Sequence, residues 1–120
     1  MFLQSLFYER TVLSLLEKVE RLPRHEQAEI ATKVSNYINE AKKADDDAVL
    51  KRFVNAARSE YDTARAASES LRHLAAPALA EAWCTARLGL SKNSMDQHSA
   101  IAIIVAVEGF ALKCATQAKM

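Results

Sequence analysis

The side chains that could do acid–base, nucleophilic or metal chemistry are few in this chain and lie far apart in sequence. They are His25, His73, Glu81, Cys84, His98, Glu108 and Cys114. No CxxC, HxxxH, HExxH or Glu-x-x-His spacing groups them. The chain has only two glycines, Gly89 and Gly109, which excludes a dinucleotide fingerprint, a phosphate-binding loop and a nucleophile elbow. The sequence therefore predicts a protein that is not an enzyme and that holds no cofactor or metal ion.

Glu108 is the most informative of these residues, because it interrupts an apolar stretch. It shares a helical row with Ile101, Ile104 and Ala111. If that row is buried, the carboxylate needs a cationic partner or a raised pKa. We expect either a structural ion pair, with Arg87 or the arginines of the third helix as partners, or a helix rotated to expose Glu108. The alternative is a ligand pocket formed by Tyr61, Trp83, Glu108 and Phe110.

A basic row with a seven-residue repeat is the most regular charged feature of the chain. Its members are Lys51, Arg58, Arg65 and Arg72. The row could be a solvated face, a set of charges that selects a partner helix, or a stripe that binds nucleic acid. Asp62 and Glu69 lie three or four positions from the arginines and favour the first interpretation.

Three consecutive aspartates, residues 45–47, raise the question of a metal site. No further ligands follow at the spacing of a calcium loop. A helix N-cap followed by acidic residues in the first turn explains the run without a metal.

Composition limits the class of protein and of partner. The chain has 120 residues, 22 of them alanine, with a net charge of +1 and 50% apolar residues. We expect one helical domain over 1–120, no nucleic-acid or membrane partner, and a cytoplasmic location because no secretory signal is evident. Cys84 and Cys114 are interpreted as reduced core residues.

Hydrophobic periodicity predicts helices throughout. The fold prediction is all-α, a compact bundle of four to five helices with the C-terminal apolar helix (about 95–118) central. The predicted helices are 2–22, 23–43, 46–74, 77–89 and 99–118. Pro77 is expected to end or kink the third helix, and the third helix carries a heptad seam that runs from Leu50 to Ala75.

The second helix shows the narrowest apolar stripe, which places it on the outside of the bundle. The stripe consists of Ile30, Ala31, Val34, Tyr37, Ile38 and Ala41. The segment that opens this helix, LPRHEQAEIA, resembles a helix opening common in small bacterial regulatory and antitoxin proteins. Helix-start chemistry accounts for the segment, so the resemblance implies no function.

The fifth helix has a bulky row and a small row. The bulky row is Ile103, Val107, Phe110 and Cys114, and the small row is Ala102, Ala106 and Gly109. We expect the small row to face Ala78, Ala82 and Ala86 of the fourth helix, with Gly89 as that helix's C-terminal glycine. Ser94 and Gln97 are expected to form a capping box. The uncharged run is about half the roughly 20 residues that a membrane span needs.

These features together predict a non-enzymatic helical interaction or regulatory module that forms a homodimer, with another helical protein as a possible partner. The expected interface residues are Phe2, Leu6, Leu13, Leu50, Val54 and Tyr61. The alternative function is a helical bundle that binds a small apolar or amphipathic ligand.

Overall fold

Five α-helices make up nearly all of the chain that the computed structural model describes, which is residues 2–43 and 46–118, with side chains over 3–43 and 46–114. They are α1 (Phe2–Glu20), α2 (Arg24–Lys43), α3 (Asp47–Ala66), α4 (Leu71–Lys92) and α5 (Gln97–Ala118). No strand occurs within those ranges. The prediction of an all-α bundle is confirmed.

Helix α4 occupies the central position, because it contacts each of the other four helices. Its buried residues are mostly small, and only Leu79 and Trp83 among them are bulky. The full set is Ala75, Ala76, Pro77, Leu79, Ala80, Ala82, Trp83, Cys84, Ala86 and Gly89. Small side chains let neighbouring helix backbones approach closely, which is how one helix can be surrounded in so short a chain.

The position predicted for the C-terminal helix needs a correction. Helix α5 packs against α1, α2 and α4, and its predicted bulky row is buried as expected. Its opposite side is not covered, since Ile101, Val105 and Leu112 are exposed. The all-round apolar character of α5 therefore reflects one buried row and one solvent-facing row.

By length and hydropathy alone, the window Gln97–Cys114 of α5 could cross a membrane, with a mean hydropathy of 1.3. The sequence-based argument that the apolar run is too short for a membrane span was thus too strict. Such a helix is weak evidence for a membrane, because core helices pass the same test. Here 39% of the window is buried in the bundle.

The third helix ends earlier than predicted, and the difference lies in one serine. α3 stops at Ala66, and Ser68 adopts a left-handed φ of 56°. The amide of Ser68 donates to the carbonyl of Arg65, and that of Glu69 donates to the carbonyl of Ala64, both at 3.0 Å. This is the Schellman pattern of helix ends, which usually uses glycine. Because a serine and not a glycine occupies this position, the residue pattern did not predict the end of the helix.

Pro77 lies inside α4, as its seventh residue, instead of ending a helix. A proline there lacks the amide that would bond to the carbonyl of His73, and its ring crowds that carbonyl. The usual cost is about 3 kcal/mol or more. Pro77 is fully buried on the central helix, so packing against its neighbours offsets that cost.

The heptad seam predicted on the third helix packs against another helix of the same chain. Leu50, Val54 and Ala57 are buried on α3, whose main packing partner is α4. The end of the seam, Leu71 and Ala75, belongs to α4 itself.

The narrow stripe of α2 is also confirmed, since all its predicted members are buried except Tyr37, which is half-buried.

Aspartates cap the N-termini of α3 and α5. Asp46 caps α3 by accepting a 2.9 Å hydrogen bond from the amide of Ala48, as the N-cap interpretation of the aspartate run predicted. Asp96, not Ser94, caps α5 by accepting from the amide of Ser99 at 3.1 Å. At the end of α4 the left-handed residue is Asn93, not Gly89. The predicted capping box and C-terminal glycine are both wrong.

The two glycines should respond oppositely to alanine. A Cβ on Gly89 would lie 2.6 Å from Cβ of Met95, so Gly89→Ala should lower the free energy of unfolding by about 1–3 kcal/mol through overpacking. A Cβ on Gly109 would meet no atom within 4 Å, so Gly109→Ala should raise it by about 0.5–1 kcal/mol. Urea unfolding at low protein concentration, where the chain is monomeric, measures both. Loss of stability in Gly109→Ala under that condition would show that another helix of the same chain covers that position.

Candidate functional site

Two of the four residues predicted to form a ligand pocket meet in a polar contact between α4 and α5. The indole nitrogen Nε1 of Trp83, a fully buried residue, donates to Oε1 of Glu108 at 3.2 Å. Nζ of Lys42 on α2 approaches the same oxygen at 3.2 Å. The guanidinium of Arg87 lies 5.4 Å from the centroid of the Trp83 ring, in a cation–π contact. Glu108 is thus ion-paired, with Lys42 and not with Arg87.

The other two predicted pocket residues lie elsewhere. Phe110 is buried and borders a groove between α1 and α5. Tyr61 is half-buried and lines a different groove, between α1 and α4. Tyr61 and Phe110 thus line two separate grooves, and neither joins the Trp83–Glu108 contact. The structure does not bring the four predicted pocket residues into one cavity.

Removing the Glu108 carboxylate should destabilise the fold through Trp83. Glu108→Ala leaves the buried indole N–H without its acceptor, which should cost about 1–3 kcal/mol. Glu108→Gln keeps an oxygen at that place and should cost less, so it is the matched control. Urea unfolding gives the free energies, and fluorescence of Trp83, the only tryptophan, reports the site directly. Equal stability of the alanine variant and the wild type would mean that the contact contributes nothing.

A groove of about 650 Å³ lies between α1 and α4, and we call it the α1–α4 groove. It was not predicted, because three separate helices form it and none of them carries a distinctive pattern alone. Its lining residues are Phe7, Tyr8, Arg10, Thr11, Val12, Ser14, Leu15 and Lys18 of α1, Tyr61 of α3, and Leu71, Leu74, Ala78 and Glu81 of α4.

Two polar groups mark one end of the α1–α4 groove. Burial, reinforced by the neighbouring Glu81 carboxylate, raises the pKa of Tyr8 to about 12. Oε1 of Glu81 accepts hydrogen bonds from Nε and Nη2 of Arg58 at 3.0 and 2.9 Å. The charge of this carboxylate is therefore balanced within the molecule.

A second feature is an exposed apolar surface shared by α1 and α5, which we call the α1–α5 face. Its members are Leu6, Leu13, Ile101, Val105 and Leu112, which are between 36% and 72% exposed. The two helices run side by side in the same direction. The amide of Asp96 donates to Oγ of Ser5 at one end, and Leu13 and Glu20 share a groove with Val105 and Lys113 further along.

The groove within the α1–α5 face has a volume of about 380 Å³. Half-buried Ala106 and exposed Gly109 line it, with Leu13 and Val105 beside them. The small row of α5 thus borders α1 and solvent at these two positions. This corrects the prediction that Gly109 is a point of close packing against α4.

The predicted interface residues fall into three groups. Leu6 and Leu13 are exposed on the α1–α5 face. Leu50 and Val54 are buried inside the molecule, so their assignment to an interface between copies is wrong. Tyr61 lines the α1–α4 groove, and the side chain of Phe2 lies outside the described residues.

The predicted basic row does not form a continuous positive stripe. Arg58 pairs with Glu81 of α4, while Arg72 lies on α4 and binds both carboxylate oxygens of Glu29 on α2 at 2.9 and 3.0 Å. Neither pair is with the sequence neighbours expected to neutralise the row. Lys51 and Arg65 are exposed and form no ion pair within the described part of the chain.

The arginines of the row should therefore differ in their effect on stability. Arg72→Gln removes a two-point contact between α4 and α2 and should cost about 0.5–1 kcal/mol. Arg65→Gln, the matched control, should stay within about 0.5 kcal/mol of the wild type. Both values come from urea unfolding at low salt, and the cost at Arg72 should shrink in high salt. An equal effect of the two variants would contradict a stabilising role for the Arg72–Glu29 pair.

Reactive and metal-binding side chains do not form a cluster in the described part of the chain. Cys84 and Cys114 are free and buried, and burial raises the pKa of the Cys84 thiol to about 11. Within the described residues, no three His, Cys, Asp or Glu side chains lie close enough to hold a metal ion.

Comparison of the chain with protein-family models, with curated proteins and with solved structures finds no match.

Proposed function

We propose that this chain is a non-enzymatic helical interaction module that forms a homodimer through the α1–α5 face. The observation that carries the proposal is the exposed apolar surface of two adjacent parallel helices. Val105 and Leu112 are 62% and 72% exposed on α5, whose opposite side is buried in the bundle. A contiguous apolar surface on a small soluble domain typically marks an interaction site.

The shape of the α1–α5 face supports a second copy as the occupant. The face holds both a groove, bordered by Ala106 and Gly109, and protruding side chains, Val105 and Leu13. In a two-fold dimer the same surface meets itself, so it must supply both the protruding groups and the spaces that receive them. At Gly109 a further carbon would meet nothing within 4 Å, which leaves room for a side chain of the partner.

The position of α1 supports the same proposal. α1 packs mainly on α5, with a smaller contact to α4. Its buried apolar side chains are Val12, Leu16 and Val19. A second copy laid across α1 and α5 would cover both helices together and reduce the solvent exposure of Leu6, Leu13 and Val105. Closed two-fold dimers are the commonest soluble oligomers.

Analytical ultracentrifugation of the full chain over a micromolar concentration series tests the proposal. We expect a species of twice the 13.3 kDa chain mass at the upper concentrations. Val105→Asp places an unpaired carboxylate in the interface and should weaken association about tenfold or more. Phe7→Ser is the matched control, because Phe7 is 74% exposed but lines the α1–α4 groove on another side of α1.

Two outcomes would contradict a dimer formed through the α1–α5 face. One is a 13.3 kDa species that persists over the whole series. The other is a dimer that Phe7→Ser disrupts and Val105→Asp does not, which would move the contact to the other side of α1. Circular dichroism of each variant separates loss of association from loss of folding.

A further inference from the structure

The helices around α4 form an incomplete ring, and the α1–α4 groove lies at the gap. Going round α4, α3 packs on α2, α2 packs on α5, and α5 packs on α1. In the described part of the chain, α1 and α3 are the one neighbouring pair without such packing, although both lie on α4. Residues of α1 and Tyr61 of α3 instead form the two walls of the groove, and α4 forms its floor. The gap is therefore at the place that a further helix of the bundle would occupy.

The floor of the α1–α4 groove has the residue spacing of a surface that packs against a helix. Leu71, Leu74, Ala78 and Glu81 line it, at intervals of three, four and three positions along α4. All four are half-buried, whereas the residues of α4 that face its packed neighbours are buried. Alternating intervals of three and four positions are the pattern by which one α-helix packs along another. This side of α4 therefore matches a helix that lies along it.

Two cations stand at separate places on the α1 wall of the groove. Arg10 and Lys18 are exposed, and neither forms an ion pair within the part of the chain that the structure describes. Glu81, the acidic residue of the lining, is already paired with Arg58. The separation of Arg10 and Lys18 corresponds to roughly 12 Å along α1. Two acidic side chains seven or eight positions apart on a partner helix have the matching spacing.

Aromatic side chains give the groove a further property of protein-binding surfaces. Phe7 is 74% exposed at the rim, and half-buried Tyr8 and Tyr61 line the groove below it. The cores of protein–protein interfaces are enriched in aromatic residues and in arginine. Phe7 therefore offers a large apolar contact that a partner helix would remove from water.

We propose that the α1–α4 groove binds an acidic amphipathic helix of another protein. The apolar stripe of the partner lies along Leu74 and Ala78 and packs on Phe7, and two of its carboxylates pair with Arg10 and Lys18. The partner helix thereby fills the gap between α1 and α3. This site lies on the other side of α1 from the α1–α5 face, so it goes beyond the proposed dimer and does not depend on it.

Selection from a phage-displayed peptide library tests the chemistry of the partner. The peptides have about 18 residues, with a fixed apolar stripe at helical spacing and randomised flanking positions. The full chain is the immobilised target, and the Phe7→Ser variant removes peptides that bind elsewhere. Enriched peptides should carry acidic residues seven or eight positions apart. Enrichment of basic peptides, or of none that distinguish the wild type from Phe7→Ser, would overturn the proposal.

A charge exchange tests the two cations, with the affinity of a selected acidic peptide measured by fluorescence anisotropy. Arg10→Glu/Lys18→Glu should weaken binding about three- to thirtyfold. Replacing the two acidic residues of the peptide by lysine should restore binding to this variant and not to the wild type. Lys51→Glu, at an exposed position outside the groove, is the matched control and should leave the affinity unchanged. Unchanged affinity in the double variant, or no rescue by the lysine peptide, would overturn the pairing.

Two single variants separate this site from the dimer. Phe7→Ser should weaken peptide binding about tenfold or more and leave the sedimenting mass of the chain alone unchanged. Val105→Asp should leave peptide binding unchanged, whatever its effect on self-association. If Phe7→Ser changes the mass of the chain alone, a second copy covers the groove. If Val105→Asp abolishes peptide binding, the peptide lies on the α1–α5 face. Either result would overturn the proposal.

Discussion

The packing of α4 among all four other helices is the constraint on which the rest of the structure depends. Its buried surface is mostly alanine, which allows close approach, and Trp83 and Leu79 fill the remaining space. Helices α2, α3 and α5 all pack on this core. α1 makes only a small contact with α4 and packs mainly on α5. Both candidate sites border α1, one on each side, because this helix is the least enclosed.

The sequence predicted the helices themselves better than the connections between them. The stripe of α2, the bulky row of α5 and the Asp46 cap all rest on local patterns, and all three are present. The end of α3 at Ala66 was missed because Ser68, not glycine, takes the left-handed position. Pro77 gave a misleading stop signal, since burial on the central helix offsets the cost of a proline inside a helix.

The candidate sites could be predicted only in part, because they depend on which helices become neighbours. An ion pair was one of the alternatives that the apolar row of Glu108 left open, with arginines as the expected partners. The observed partner, Lys42, comes from another helix, and no spacing pointed to it. The pairs Arg58–Glu81 and Arg72–Glu29 are likewise tertiary, whereas local pairs had been expected. The outward row of α5 was present in the sequence but was interpreted as buried, because an all-apolar helix gives no periodicity to separate its sides.

The most direct test of the α1–α5 face as a self-association surface is an isotope-filtered NOE experiment on a mixture of ¹³C-labelled and unlabelled chains. Only contacts between different copies give signals in such a sample. We expect intermolecular NOEs from the methyl groups of Leu13, Val105 and Leu112, and none from Leu50 or Val54, which are buried inside each copy. Intermolecular NOEs confined to methyl groups outside α1 and α5 would contradict that account. So would the absence of any intermolecular NOE at the protein concentrations at which the dimer is expected.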